Sequence, residues 1–75
     1  MRENEFNKIA EKLTPRQFEI FELVGKGKTS KKIANELCIA ESTVKNHRNK
    51  IRKKLDLEGY GALYHLSLKV RLQNQ

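Results

Sequence analysis

The stretch Thr29–Leu55, TSKKIANELCIAESTVKNHRNKIRKKL, decides the fold. Ile33, Ala34 and Leu37 recur at the spacing of one helix face. Val44, Ile51 and Leu55 do the same further along, with Ile39 closing the turn Cys38-Ile39-Ala40 between them. Ala34 stands where two helices would cross closely and a larger side chain would push them apart. The second helix, from about Glu41 or Ser42 to Leu55, leaves Lys45, Asn46, Asn49 and Lys53 on its polar side. Two short helices around a tight turn, the second apolar on one side and basic and amide-rich on the other, make a helix-turn-helix. Lys and Asn are donors suited to base edges and phosphates.

Outward from that motif the chain reads as further helices. Thr14-Pro15-Arg16-Gln17 is a capping box, with Pro at the first helical position; Leu13 and Phe18 are placed to form a hydrophobic staple. Ile20, Phe21, Leu23 and Val24 supply the buried face, and Gly25 and Gly27 are expected to end this helix. Thr29 caps the next helix. Ala40 stands where a capping Ser or Thr is expected, so a shifted start capped by Ser42 is the alternative. Asp56 to Gly61 forms a loop, and Ala62 to Leu72 a last helix with Leu63, Leu66 and Val70 on one side and Tyr64, Leu68 and Leu72 around the rest. The expected division is an arm or frayed turn over 1–12 with Phe6 and Ile9 as anchors, a domain over 13–72, and a frayed end over 73–75. The fold class is all-α with four helices.

Seventy-five residues make one domain. A chain of this size buries only about 60% of its unfolded surface, so the core is thin and a partner subunit would help it. Lys and Arg number 16 against 9 Asp and Glu, a net charge of +7, which points to a polyanion. Between Glu41 and Asp56, six basic residues (Lys45, Arg48, Lys50, Arg52, Lys53, Lys54) face two acidic ones, whereas residues 1–23 are nearly balanced. A charge run alone is more often a solvated face; its alignment with the polar side of a helix-turn-helix favours a docking surface.

Several functions have no support. The single Cys38 makes no internal disulfide, which suits a reducing, cytoplasmic setting, and it reads as a small turn or core residue. No apolar run approaches the ~18 residues of a membrane span. Ser30, Ser42 and Ser67 lack a base or an oxyanion elbow, and His47 and His65 lack ligand-spaced partners, so neither an enzyme nor a metal or cofactor site is expected. His47 reads either as a phosphate contact or as a packing residue with a polar tip. Arg48 and Lys53 can lie along the apolar flank or reach outward.

With these residues in view, the chain resembles the LuxR-type helix-turn-helix, the effector domain of the LuxR and FixJ/NarL regulators. LTPR at 13–16, Glu19-Ile20, the Gly27 turn, KKIANEL at 31–37, ESTVKNH at 41–47, and Ile51 with KKL at 53–55 carry the resemblance. In length it is similar to the small GerE-type regulators, which lack a receiver or ligand-binding domain. The resemblance implies a bacterial, cytoplasmic, nucleoid-associated transcription factor. It would bind promoter DNA as a homodimer through the C-terminal helix, with RNA polymerase as a candidate further partner. By carry-over, helix 42–55 enters the major groove: Lys45, Asn46 and Asn49 reach bases, and Lys31, Thr43, Arg48, Lys50 and Lys53 hold the backbone. Leu63, Leu66 and Val70 form the dimer contact.

The sequence departs from the family where Gln17 and Lys32 replace Glu, Asp56 replaces Gly, Tyr60 replaces Arg and Leu63 replaces Ala. Two other readings stay open. A bacterial sigma factor's fourth region shares the LTPR opening and a TVK-type helix, though it continues with Ser-Arg where this chain has Asn46-His47. An anti-activator would keep the fold and titrate a related regulator through the last helix.

Overall fold

The computed structural model describes residues 5–59 and 61–73. Five helices follow in order: α1 (Glu5–Lys12), α2 (Pro15–Gly25), α3 (Ser30–Leu37), α4 (Glu41–Lys54) and α5 (Ala62–Gln73). Helices α2 to α5 occupy the four stretches expected from the sequence, and no strand occurs among the described residues. The position of Tyr60, and of Asn74 and Gln75 at the expected frayed end, lies outside them.

Local chemistry starts and stops these helices. Thr14 caps α2 as a capping box: its Oγ1 accepts from Gln17 N at 3.1 Å, while its own N–H donates to Gln17 Oε1 at 3.1 Å. Gln17 Oε1 also accepts from Lys54 Nζ at 2.8 Å, which ties the start of α2 to the end of α4. Thr29 Oγ1 caps α3 by accepting from Lys32 N at 3.2 Å. The start of α4 is the exception. Its N-cap is Ala40, which makes no side-chain cap bond, and Ser42 lies inside the first turn rather than before it.

Three helix ends turn through left-handed residues. After α2, Gly27 (φ 83°) donates to Val24 O at 2.9 Å and Lys28 N donates to Leu23 O at 3.3 Å, the paired bonds of a Schellman motif. After α4, Asp56 (φ 55°) takes the same role, with Asp56 N to Lys53 O at 3.3 Å and Leu57 N to Arg52 O at 2.9 Å. The Asp that replaces a family Gly therefore keeps a left-handed exit from α4. After α3, the exposed Cys38 adopts φ 57° and ψ 44°, and Ile39 N reaches back to Ala34 O at 3.1 Å. Of the two readings given for Cys38, the structure takes the turn residue.

One core joins all five helices: Ile9, Leu13, Ile20, Phe21, Val24, Ile33, Ala34, Val44, Ile51, Leu63 and Val70, with Leu37, Ile39, Leu55 and Leu66 half-buried around it. Residues 5–12, read as an arm or a frayed turn, are helical. Ile9 is buried, Phe6 meets the edge of Phe18 with ring centroids 5.1 Å apart, and Glu5 pairs with Lys69 of α5 at 3.7 Å.

Gly25 has a role beyond ending α2. A Cβ there would lie 2.9 Å from both the carbonyl carbon and the carbonyl oxygen of Ser67. Glycine thus lets α2 and α5 approach backbone to backbone, and the buried Ser67 hydroxyl donates to Phe21 O across that contact.

Gly25→Ala should destabilise the domain by about 1–3 kcal/mol, the usual range for overpacking against atoms that cannot move aside. Urea unfolding followed by circular dichroism measures it; an unchanged midpoint would contradict the close approach. Cys38→Gly should act the opposite way, raising stability by up to about 1 kcal/mol. It removes a left-handed β-carbon that costs roughly 1–2 kcal/mol, and the side chain lost is an exposed one.

Candidate nucleic-acid interface

The rotation of α4 about its axis is fixed by Val44 and Ile51, both with 0% exposure, and by half-buried Leu55. With that side inward, Ser42, Asn46, Asn49 and Lys53 run down the middle of the outer side at helical spacing, and all four are exposed. Lys45 and Arg52 flank this row on one side, Thr43 and Lys50 on the other. Lys45, Asn46 and Asn49 thus stand clear in solvent, with the Lys45 side chain 64% exposed.

Hydrogen bonds orient part of this row. Arg52 Nη1 donates to Asn49 Oδ1 at 2.8 Å. A guanidinium has only donors, so the carboxamide oxygen must face it, and Asn49 turns its NH₂ outward. In this arrangement Asn49 is a donor suited to guanine N7 and O6 or to phosphate, while Asn46 keeps both amide functions free for an adenine edge. Lys45 pairs with Glu41 one turn back at 3.4 Å; both are exposed, so salt screens the pair readily.

Arg48, expected to hold the DNA backbone, makes a contact within the protein. It is half-buried, and its Nη1 donates to Ser30 Oγ at 3.3 Å, linking α4 to the first turn of α3. Burial, followed by the nearby charge of Arg52, lowers its pKa from the ordinary arginine value. Of the other residues expected on the DNA backbone, Lys31, Thr43, Lys50 and Lys53 are all exposed. Thr29, Ser30, Lys45, Arg48, Asn49 and Arg52 meet around one concavity of about 480 Å³ between α3 and α4. Lys31, Thr43 and Lys50 lie outside it. Arg52, Thr29 and Ser30 were not among the residues expected at the DNA interface. Arg52 was findable, since it follows Arg48 by four residues and Asn49 by three; the approach of Ser30 depends on the helix crossing.

His47 is half-buried, and its Nδ1 is buried with no hydrogen-bond partner among the described residues. That placement agrees with packing rather than with a phosphate contact. No group of three metal-ligating side chains occurs among the described residues, and no described helix is long and apolar enough to cross a membrane.

The expected dimer contact needs correction. Leu63 and Val70 are 1% and 2% exposed and belong to the monomer's own core; Leu66 is half-buried against it. The outward apolar face of α5 is instead Tyr64 (38% exposed), half-buried Leu68 and Leu72 (55% exposed), spaced four residues apart. They line a shallow apolar concavity with His65 and Lys69. Because α5 is apolar on more than one side, periodicity alone did not separate its core side from its free side.

The model of the bacterial regulatory proteins, luxR family, matches residues 11–67, from the end of α1 to the middle of α5. The spore germination protein GerE of Bacillus subtilis (strain 168) is 46% identical over 59 residues, covering 79% of this chain and 78% of that protein. The transcriptional activator protein ExaE of Pseudomonas putida is 35% identical over 60 residues, 80% of this chain but 28% of its own length. The transcriptional regulatory protein LiaR of Bacillus subtilis (strain 168) is 49% identical over 47 residues, 63% of this chain and 22% of its own length. The chain therefore spans most of GerE and less than a third of the other two. No solved structure matches. The match to most of the chain, together with its all-α helix-turn-helix, places this protein in the luxR family of bacterial regulatory proteins.

Proposed function

We propose that this chain regulates transcription by binding specific promoter sequences, with α4 in the major groove and two copies paired through α5. The observation that carries this reading is the division of α4: Val44 and Ile51 are fully buried, while Lys45, Asn46 and Asn49 stand exposed on the opposite side. Capture by the basic face comes first. Lys50 and Lys53 on α4 and Lys31 on α3 neutralise phosphates and release counterions, which makes binding fall steeply as salt rises. Base readout follows from Lys45, Asn46 and the outward amide of Asn49, each good contact giving about 1–3 kcal/mol of discrimination. Arg48 acts mainly by holding α4 against α3.

The dimer is proposed on Tyr64, Leu68 and Leu72 rather than on Leu63, Leu66 and Val70. A symmetric pair would place two copies of α4 on half-sites about one helical turn of DNA apart. The anti-activator reading needs the same α5 face but makes no use of an exposed donor row on α4, so the regulator is the better account. The matched relatives are named as regulators, and a sigma factor's fourth region is set aside for that reason.

Selection of bound sites from a random duplex pool tests the function directly; a recovered motif supports it, and an unenriched pool rejects it. Lys45→Ala should weaken binding to the recovered site by about 1–3 kcal/mol while leaving random-sequence binding little changed. Equal loss on both would reduce Lys45 to a phosphate contact. Sedimentation of the protein on a two-half-site duplex should show two chains bound, and Leu72→Asp should leave one. Two chains bound with Leu72→Asp would move the contact off α5.

A further inference from the structure

We infer that Arg52 sets the base preference of Asn49, holding it to guanine and withdrawing it from adenine. Asn49 is the side chain that meets the base; Arg52 is a positioning residue that acts through it. As a role in base readout this rests on the regulator reading, and it concerns which base is chosen rather than how tightly DNA is held.

Two asparagines stand in the exposed row of α4, three residues apart, and they are not equivalent. Asn46 keeps its carboxamide unengaged among the described residues. Asn49 Oδ1 accepts from Arg52 Nη1 at 2.8 Å. A free carboxamide matches adenine because it accepts from N6 and donates to N7 together. With its oxygen occupied, Asn49 offers only N–H donors, and the adenine amino group then meets another donor. Guanine presents N7 and O6, both acceptors, and keeps its match. One hydrogen bond within the protein thus separates the two purines.

Three features keep Arg52 on this amide. It is half-buried along the concavity it shares with Asn49, Arg48 and Ser30, which steadies its stem. No carboxylate competes for it: Arg52 has no ion pair among the described residues, and Asp56, four residues on, lies past the end of α4. Arg48 stands one turn back with its Nη1 bonded to Ser30 Oγ at 3.3 Å, and repulsion between like charges at this spacing favours the position of Arg52 over Asn49. A charged donor also makes a stronger bond than a neutral one, so turning its oxygen towards a base costs Asn49 more than it costs Asn46.

Selection of bound sites from a random duplex pool at low salt tests this with the wild type, Asn49→Ala, Arg52→Met and Arg52→Lys. The position whose preference Asn49→Ala erases is the one that Asn49 reads. There the wild type should favour guanine over adenine by about fivefold or more, the low end for one good base contact. Arg52→Met has similar length but no donor, and should pass the preference to adenine. Arg52→Lys restores a charged donor and should keep guanine. The remaining positions of the motif should be the same in both variants. Adenine in the wild type, guanine kept by Arg52→Met, the same shift in both Arg52 variants, or no position erased by Asn49→Ala overturns the role of Arg52 and leaves the regulator reading standing. A wild type that enriches no motif overturns the regulator reading, and the base assignment with it.

Discussion

The burial of Val44 and Ile51 under α2 and α3 is the constraint on which the surface chemistry depends. Two β-branched side chains, seven residues apart and fully enclosed, leave α4 one rotational setting. Every outward residue of that helix then has a fixed bearing. Lys54 and Arg48 reinforce the setting from opposite sides, one bonded to Gln17 at the start of α2 and the other to Ser30 at the start of α3. A charged row on a freely rotating helix would attract DNA without choosing a sequence. Rigid seating is what makes a row of side chains legible to base pairs.

Departures from the family pattern are absorbed locally. Asp56 adopts the left-handed geometry that glycine supplies elsewhere, as short polar side chains can, so the exit from α4 keeps its pair of closing bonds. Gln17 gives up a carboxylate's charge yet completes the capping box and accepts from Lys54. Leu63, bulkier than the usual alanine, is enclosed in the core. The changes that lie on the surface, such as Lys32, leave a more basic protein.

The helix-turn-helix was legible because its apolar residues fall at one period and its ends carry recognisable chemistry, as at Thr14, Thr29 and Gly27. The exposed donors of α4 followed from the same period. Other features required coordinates. Residues 5–12 are polar enough to read as an arm, and only the packing of Phe6 on Phe18 and of Ile9 into the core gives that helix its support. Gly25 has the signature of a terminator, while its tight approach to Ser67 is a fact about a distant helix. The free side of α5 was misassigned because two apolar faces on one helix look alike in sequence. Arg52 stands three residues after Asn49, a readable spacing, but that its guanidinium closes on that amide is a fact of the coordinates.

The docking of α1 also bears on assembly. By covering the flank shared by α2 and α5, it leaves Tyr64 and Leu72 as the large hydrophobic residues in the open among those described. A molecule with a single adhesive strip can satisfy it by meeting a twin head-on, after which no strip is left to recruit a third. A second strip on the opposite flank would permit strings and precipitates. This short N-terminal helix thus keeps Phe18 and the core beneath it from becoming a second exposed strip.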